Sequence, residues 1–135
     1  MMSKDTMPIL REQDVVPFRN RVREYSTKIG MSLVNQTKLI TAASELVRNM
    51  LKYAGGGQVK LEIISKNAQT GVRLIFEDKG PGIADIKLAM QDGFTTGKSL
   101  GLGLPGAKRL VNEFDIVSKL SEGTTVTITH WKNVR

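Results

Sequence analysis

The chain has 135 residues, 40% of them hydrophobic and 24% charged, with a formal net charge of +7 and no cysteine. That length suits a single domain, residues 1–135, burying roughly two thirds of its unfolded surface. The absence of cysteine excludes a disulfide framework and a thiolate metal site. The opening residues MMSKDTMPIL hold no continuous apolar stretch, and no run reaches the roughly eighteen residues of a membrane span, so a cytoplasmic protein without membrane association is expected. The positive charge raises nucleic acid as a partner. However, Arg19, Arg21, Arg23 and Lys28 form one modest cluster, and two tyrosines and one tryptophan supply few stacking platforms. A solvated basic helix face, or a surface for an acidic partner, is the better reading.

Met7 to Arg11 reads as a short edge strand, where Pro8 is tolerated. Asp14 offers an N-cap to a helix whose apolar residues Val15, Phe18, Val22, Tyr25 and Ile29 recur at spacings of three and four before Gly30 stops it. A second helix is expected from about Gln36 to Tyr53, with the stripe Leu39, Ala43, Leu46 and Met50, a cap at Ser32 or Asn35, and a stop at Gly55-Gly56-Gly57. Glu45 and Asn49 project together, one turn apart, at the border of that stripe. Gln58–Ile64 and Val72–Glu77 alternate apolar and polar residues as the arms of an antiparallel hairpin. Ile86–Gln91 suits a short helix, and Pro105 suits the first turn of another running through Glu113. Two last strands, Ile116–Leu120 and Thr124–Trp131, flank a Ser121-Glu122-Gly123 turn, with His130 read as structural. Together these predict an α+β, two-layer sandwich: a mostly antiparallel mixed sheet with helices on one face.

The chemistry concentrates between Leu74 and Lys108. Asp78 ends an apolar run, Gly80-Pro81-Gly82-Ile83 follows, and a second cluster comes at Gly101-Leu102-Gly103-Leu104-Pro105-Gly106. Glycines in such numbers let backbone N–H groups approach a ligand, and successive N–H groups attract phosphate. Two familiar nucleotide motifs are almost present. Gly93-Phe94-Thr95-Thr96-Gly97-Lys98-Ser99 has three residues between its glycines where a P-loop needs four, and no apolar strand directly precedes it. Gly101, Gly103 and Gly106 satisfy G-x-G-x-x-G, with Glu122 at a suitable distance for a ribose-binding acid, but polar, loop-like residues precede them instead of a buried strand.

The order of features is more specific than either motif. A helix box Glu45-Leu-Val-Arg-Asn49, a glycine box Asp78-Lys-Gly-Pro-Gly-Ile83, a second box Gly101-Leu-Gly-Leu104 and a terminal Gly123-Thr124-Thr125 follow one another. This arrangement resembles the GHKL (Bergerat-type) ATPases and kinases: gyrase subunits, large heat-shock chaperones, MutL proteins, histidine kinases and anti-sigma serine kinases. A free-standing domain of this length is most similar to the anti-sigma serine kinases, and residues 90 to 132 are closest to the RsbT-type switch kinases of stressosome modules.

The resemblance implies the Bergerat ATP-binding fold, ATP and Mg2+ as cofactors, and transfer of phosphate to a protein serine or threonine. Glu45 would then be the general base, and Asn49 the magnesium ligand. Asp78 would accept a hydrogen bond from the adenine amino group, with Gly80, Gly82 and Ile83 letting the base approach the backbone and Thr124 or Thr125 joining the adenine-side network. Residues Asp92–Leu100, including Thr96, would cover the phosphates, and Gly101, Leu102, Gly103 and Leu104 would donate N–H groups to them. Lys98 is assigned to the terminal phosphate from its charge and place alone. Taken singly, Glu45 and Asn49 read as exposed helix polars and Asp78 as a turn former; the glycine boxes tip the reading toward a cleft. The implied partners are a STAS-domain substrate and a PP2C-type phosphatase or other downstream regulator, with a homodimer compatible. The alternative is a nucleotide-dependent module that sequesters a sigma factor or regulator without kinase turnover.

Overall fold

Period-two alternation in the strand segments puts one apolar face toward a pair of long amphipathic helices, and the remaining elements assemble around that contact. The computed structural model describes residues 3–82 and 104–133. Its elements run β1 (Lys4–Ile9), a short 3-10 turn (Glu12–Asp14), α1 (Val15–Lys28), α2 (Leu33–Ala54), β2 (Gly57–Lys66), β3 (Gln69–Asp78), α3 (Leu104–Leu110), β4 (Glu113–Lys119) and β5 (Gly123–Trp131). The sheet order is β1-β2-β3-β5-β4, and all four described pairings are antiparallel. β5 therefore returns between β3 and β4, which sets Asp78 opposite Thr124 in the central register.

The expected elements hold, with shifts that have local causes. β1 begins three residues earlier than Met7 and takes an edge position, so Pro8 is accommodated. Asp14 directly precedes α1 but does not cap it. Its carboxylate turns back to accept from the N–H groups of Leu10 and Arg11, at 2.9 and 3.2 Å, and closes the preceding turn. α2 starts at Leu33, earlier than Gln36, because Ser32 is the cap and accepts from the Asn35 N–H at 3.2 Å. The helix opened by Leu104 and Pro105 stops at Leu110, and Glu113 belongs to β4. The helix expected over Ile86–Gln91 lies outside the described residues.

The core lies between the sheet and the helices. Val59, Leu61, Ile63, Val72, Leu74, Phe76, Val126 and Ile128 are buried from the strands, against Val15, Phe18, Val22, Leu39, Ala43, Leu46 and Met50 from the helices. Phe18 meets Phe76 edge-on at 6.0 Å between ring centroids, joining α1 to the central strand. Two polar ties fix the helices. Tyr25 and Arg21 both donate to Asp5 Oδ2, at 2.6 and 2.8 Å, strapping α1 to β1. These bonds hold the Asp5 carboxyl below its ordinary pKa, while burial and the Asp5 bond raise that of the Tyr25 hydroxyl. At the start of α2, Asn35 Oδ1 accepts from Nε2 of His130, 3.2 Å away on β5. His130 is fully buried, and its Nδ1 has no hydrogen-bond partner among the described residues. Burial first, and the charge of Lys38 second, depress its pKa to about 4, so the ring is neutral.

Candidate functional site

α2 is a 22-residue helix ended by Gly55 in the left-handed conformation, and its last three turns form one wall of a cleft. Leu46, Asn49, Met50 and Tyr53 recur at spacings of three, one and three, so all four face the same side. The floor is apolar, from Phe76, Ile116 and Val126 on three adjacent strands. Ala54, Asp78, Pro81, Gly82, Leu104 and Thr124 complete the lining. The cleft and its open mouth together hold about 530 Å³ of space not filled by protein atoms.

The polar groups are few and fixed. Asp78 Oδ1 accepts from the Gly80 N–H at 2.9 Å, so the local turn orients the carboxylate. Thr124 shares a hydrogen bond of 2.8 Å with Ser118, whose hydroxyl also donates to the Gly123 carbonyl at 3.2 Å. The walls suit a flat, largely apolar ring system carrying a group that can donate to one carboxylate.

Backbone packing also accounts for two of the glycines. Gly82 has φ +78°, and a Cβ there would overlap the Lys119 carbonyl oxygen. Gly123 has φ +109°, and a Cβ there would overlap the Asp78 carbonyl oxygen. The first glycine box and the Gly123-Thr124-Thr125 box therefore lie backbone to backbone, and the Ser121 N–H donates to the Pro81 carbonyl at 2.8 Å across the same junction. The sequence reading assigned the box glycines to ligand approach; in the fold they also let the end of β3 and the β4–β5 turn close on each other.

The structure brings Asn49, Asp78, Gly82, Leu104 and Thr124 into one cleft. Gly80 sits beside it, against Ala54 at the end of α2. Glu45 does not line it. Its carboxylate, with the side chain 46% exposed, lies one turn before Asn49 and 3.9 Å from Arg48 Nη1. Thr125 does not line it either, because strand alternation turns it away from the face that carries Thr124 and Val126. Ile83, Thr96, Lys98, Gly101, Leu102 and Gly103 lie outside the described residues. The sequence reading missed Tyr53, Phe76, Ile116 and Val126 as cleft residues; their signal was the inward phase of each element, combined with β5 inserting between β3 and β4.

Among the described residues no group of three or more His, Cys, Asp or Glu gathers to hold a metal. Asn49 brings one neutral amide oxygen to the cleft. That donor suits an ion that takes its other ligands from phosphate oxygens and water, as magnesium does.

Residues 17–134 match the family model described as histidine kinase-, DNA gyrase B- and HSP90-like ATPase. The chain belongs to that family. Its members' use of ATP fits a cleft with one carboxylate set among apolar walls. The chain is 41% identical to the serine/threonine-protein kinase RsbT of Bacillus subtilis, over 97% of this chain and 98% of that one. It is 30% identical to the anti-sigma F factor of Bacillus cytotoxicus, over 84% of this chain and 81% of the other. Within the ATPase family it therefore groups with the serine/threonine protein kinases. A solved structure of the RsbU and RsbW domains of a Mycobacterium tuberculosis protein shares the fold. The TM-score is 0.64 at 22% identity, over all of this chain and 34% of that longer one. Among the described residues no helix is long and apolar enough to cross a membrane.

Proposed function

We propose that the chain transfers the terminal phosphate of ATP to a serine or threonine of a STAS-domain protein, as one step of a partner-switching module. The observation that carries this reading is the convergence of Asn49, Asp78 and Thr124 on one cleft, with Glu45 one helical turn before Asn49 on the same helix. Asp78 accepts from the adenine amino group; guanine presents a carbonyl oxygen there and is disfavoured. Apolar contacts from Met50, Phe76, Ile116 and Val126 hold the ring and exclude water. Asn49 would hold magnesium, which when bound would neutralise phosphate charge. Glu45 accepts the proton of the acceptor hydroxyl as its oxygen bonds to the terminal phosphorus, and the bond to ADP breaks. Release of the phosphorylated acceptor frees the kinase for a second partner, such as a PP2C-type phosphatase.

The test is incubation of the protein with Mg-ATP and a STAS-domain protein from the same genome, followed by mass spectrometry for phosphoserine and phosphothreonine. Transfer by the unaltered chain, reduced at least about a hundredfold in Glu45→Gln with ATP affinity kept, is the expected result. The likeness to an anti-sigma F factor supports a second reading, sequestration of a regulator with nucleotide as a conformational ligand. ATP binding without transfer to any cognate acceptor would favour it over the first.

A further inference from the structure

The excess positive charge is not spread evenly. On the open face of the sheet, Lys4, Lys60 and Arg73 each have a carboxylate within 4.0 Å, on Glu62, Glu77 and Glu113. On α1, Arg21 is paired with Asp5 and Glu24, while Arg23 donates to Asn20 and Lys28 to Ser3, and none of these residues lines the cleft. A further group of cations lies on the outer side of α2. Lys38, Thr41, Glu45, Arg48 and Lys52 follow at steps of three and four and so form one stripe, in which only Glu45 is acidic. α3 packs beside α2 and adds exposed Lys108 and Arg109. Three cations of α2 thus share this flank with one carboxylate, and that carboxylate is Glu45.

The stripe also has a defined place relative to the cleft. At about 100° per residue, Asn49 stands between the stripe and the cleft-facing arc of Leu46, Met50 and Tyr53. A molecule lying along the stripe would sit beside the cleft mouth, next to Glu45.

We propose that the outer flank of α2, continued by α3, is the docking surface for an acidic face of the acceptor protein, which lays its target hydroxyl beside Glu45. This rests on the phosphotransfer reading and adds the acceptor's chemistry: carboxylates surround the serine or threonine. Charge complementarity selects such a face, because cations clustered on one side speed encounter with an anionic partner and disfavour a cationic one. Glu45 alone within that field would repel acidic groups only weakly, while Arg48 at 3.9 Å screens it until a partner carboxylate competes for the guanidinium.

The test compares Lys38→Glu/Lys52→Glu with Lys4→Glu/Lys66→Glu, a pair of equal charge change on the sheet, using the STAS-domain acceptor from the phosphotransfer assay. The α2 pair should raise KM for the acceptor about tenfold or more at low salt, with kcat and ATP affinity within about twofold, and the gap should close in about 0.5 M salt. The sheet pair should change KM by less than about twofold. Equal effects of the two pairs, or no effect of the α2 pair, would overturn the proposal. If the unaltered chain binds the acceptor but transfers nothing, the kinase reading fails and docking is read by calorimetry instead. Weakened binding in the α2 pair then sustains the surface, and unchanged binding removes it. An acceptor that does not bind the unaltered chain removes both.

Discussion

Gly123 shows how a single residue couples fold to site. Its positive φ and the proximity of the Asp78 carbonyl leave no room for a side chain. Gly123→Ala should destabilise the protein by about 1–3 kcal/mol, as the midpoint of urea unfolding would report. A midpoint equal to the unaltered chain's would mean that the β3 end and the β4–β5 turn are not packed as described. His130 makes the second residue-scale prediction. Its folded pKa, about 4, lies below the ordinary 6.5, so as pH falls through 6.5 the unfolded chain takes up a proton that the folded chain refuses. The stability is whole above pH 6.5 and erodes between 6.5 and about 4, by on the order of 3 kcal/mol in all. Urea midpoints measured across that range should fall steeply in the unaltered chain and less in His130→Gln. Asp5, whose pKa is depressed below 3.8, adds its own loss only beneath that window. The structural role of His130 was legible in its strand position. Its bond to Asn35 was not, because the two residues lie 95 apart in sequence.

At the scale of elements, α2 was legible because spacings of three and four persist from Leu39 to Met50 and every stripe residue is buried. Its start was obscured by Leu33 and Val34, exposed at 77% and 65%, which break the polar-out pattern that would mark a first turn. The cap settles the start, and Ser32→Ala should cost about 1 kcal/mol and speed hydrogen exchange of the Asn35 amide. Unchanged exchange there would show that Ser32 does not hold the turn. The β4 boundary was missed for a related reason. Leu104, Leu110 and Val111 keep a helical rhythm toward Glu113, but Asn112 Oδ1 accepts from the Trp131 N–H at 2.8 Å. That long-range bond draws the chain into the sheet, and local periodicity carries no trace of it.

For the whole molecule, the two-layer architecture followed from composition and alternation, whereas the strand order did not. Register inside the β2–β3 hairpin is local, but the return of β5 between β3 and β4 is decided by contacts about fifty residues apart, such as Asp78 with Thr124. The site inherits that difference. Asn49 and Asp78 were read from their boxes, while the apolar floor came from the phase of strands whose neighbours were unknown. Tight binding of ATP should also raise the unfolding free energy, by about 2.7 kcal/mol at a hundred times Kd. The most direct measurement is calorimetric titration of Mg-ATP and Mg-GTP into the unaltered chain and Asp78→Asn, a change that keeps an acceptor for the Gly80 N–H. ATP should bind at least about tenfold tighter than GTP, with that preference lost in Asp78→Asn. Equal affinity for the two nucleotides, or an Asp78→Asn variant that still prefers ATP, would contradict the assignment of this cleft to adenine.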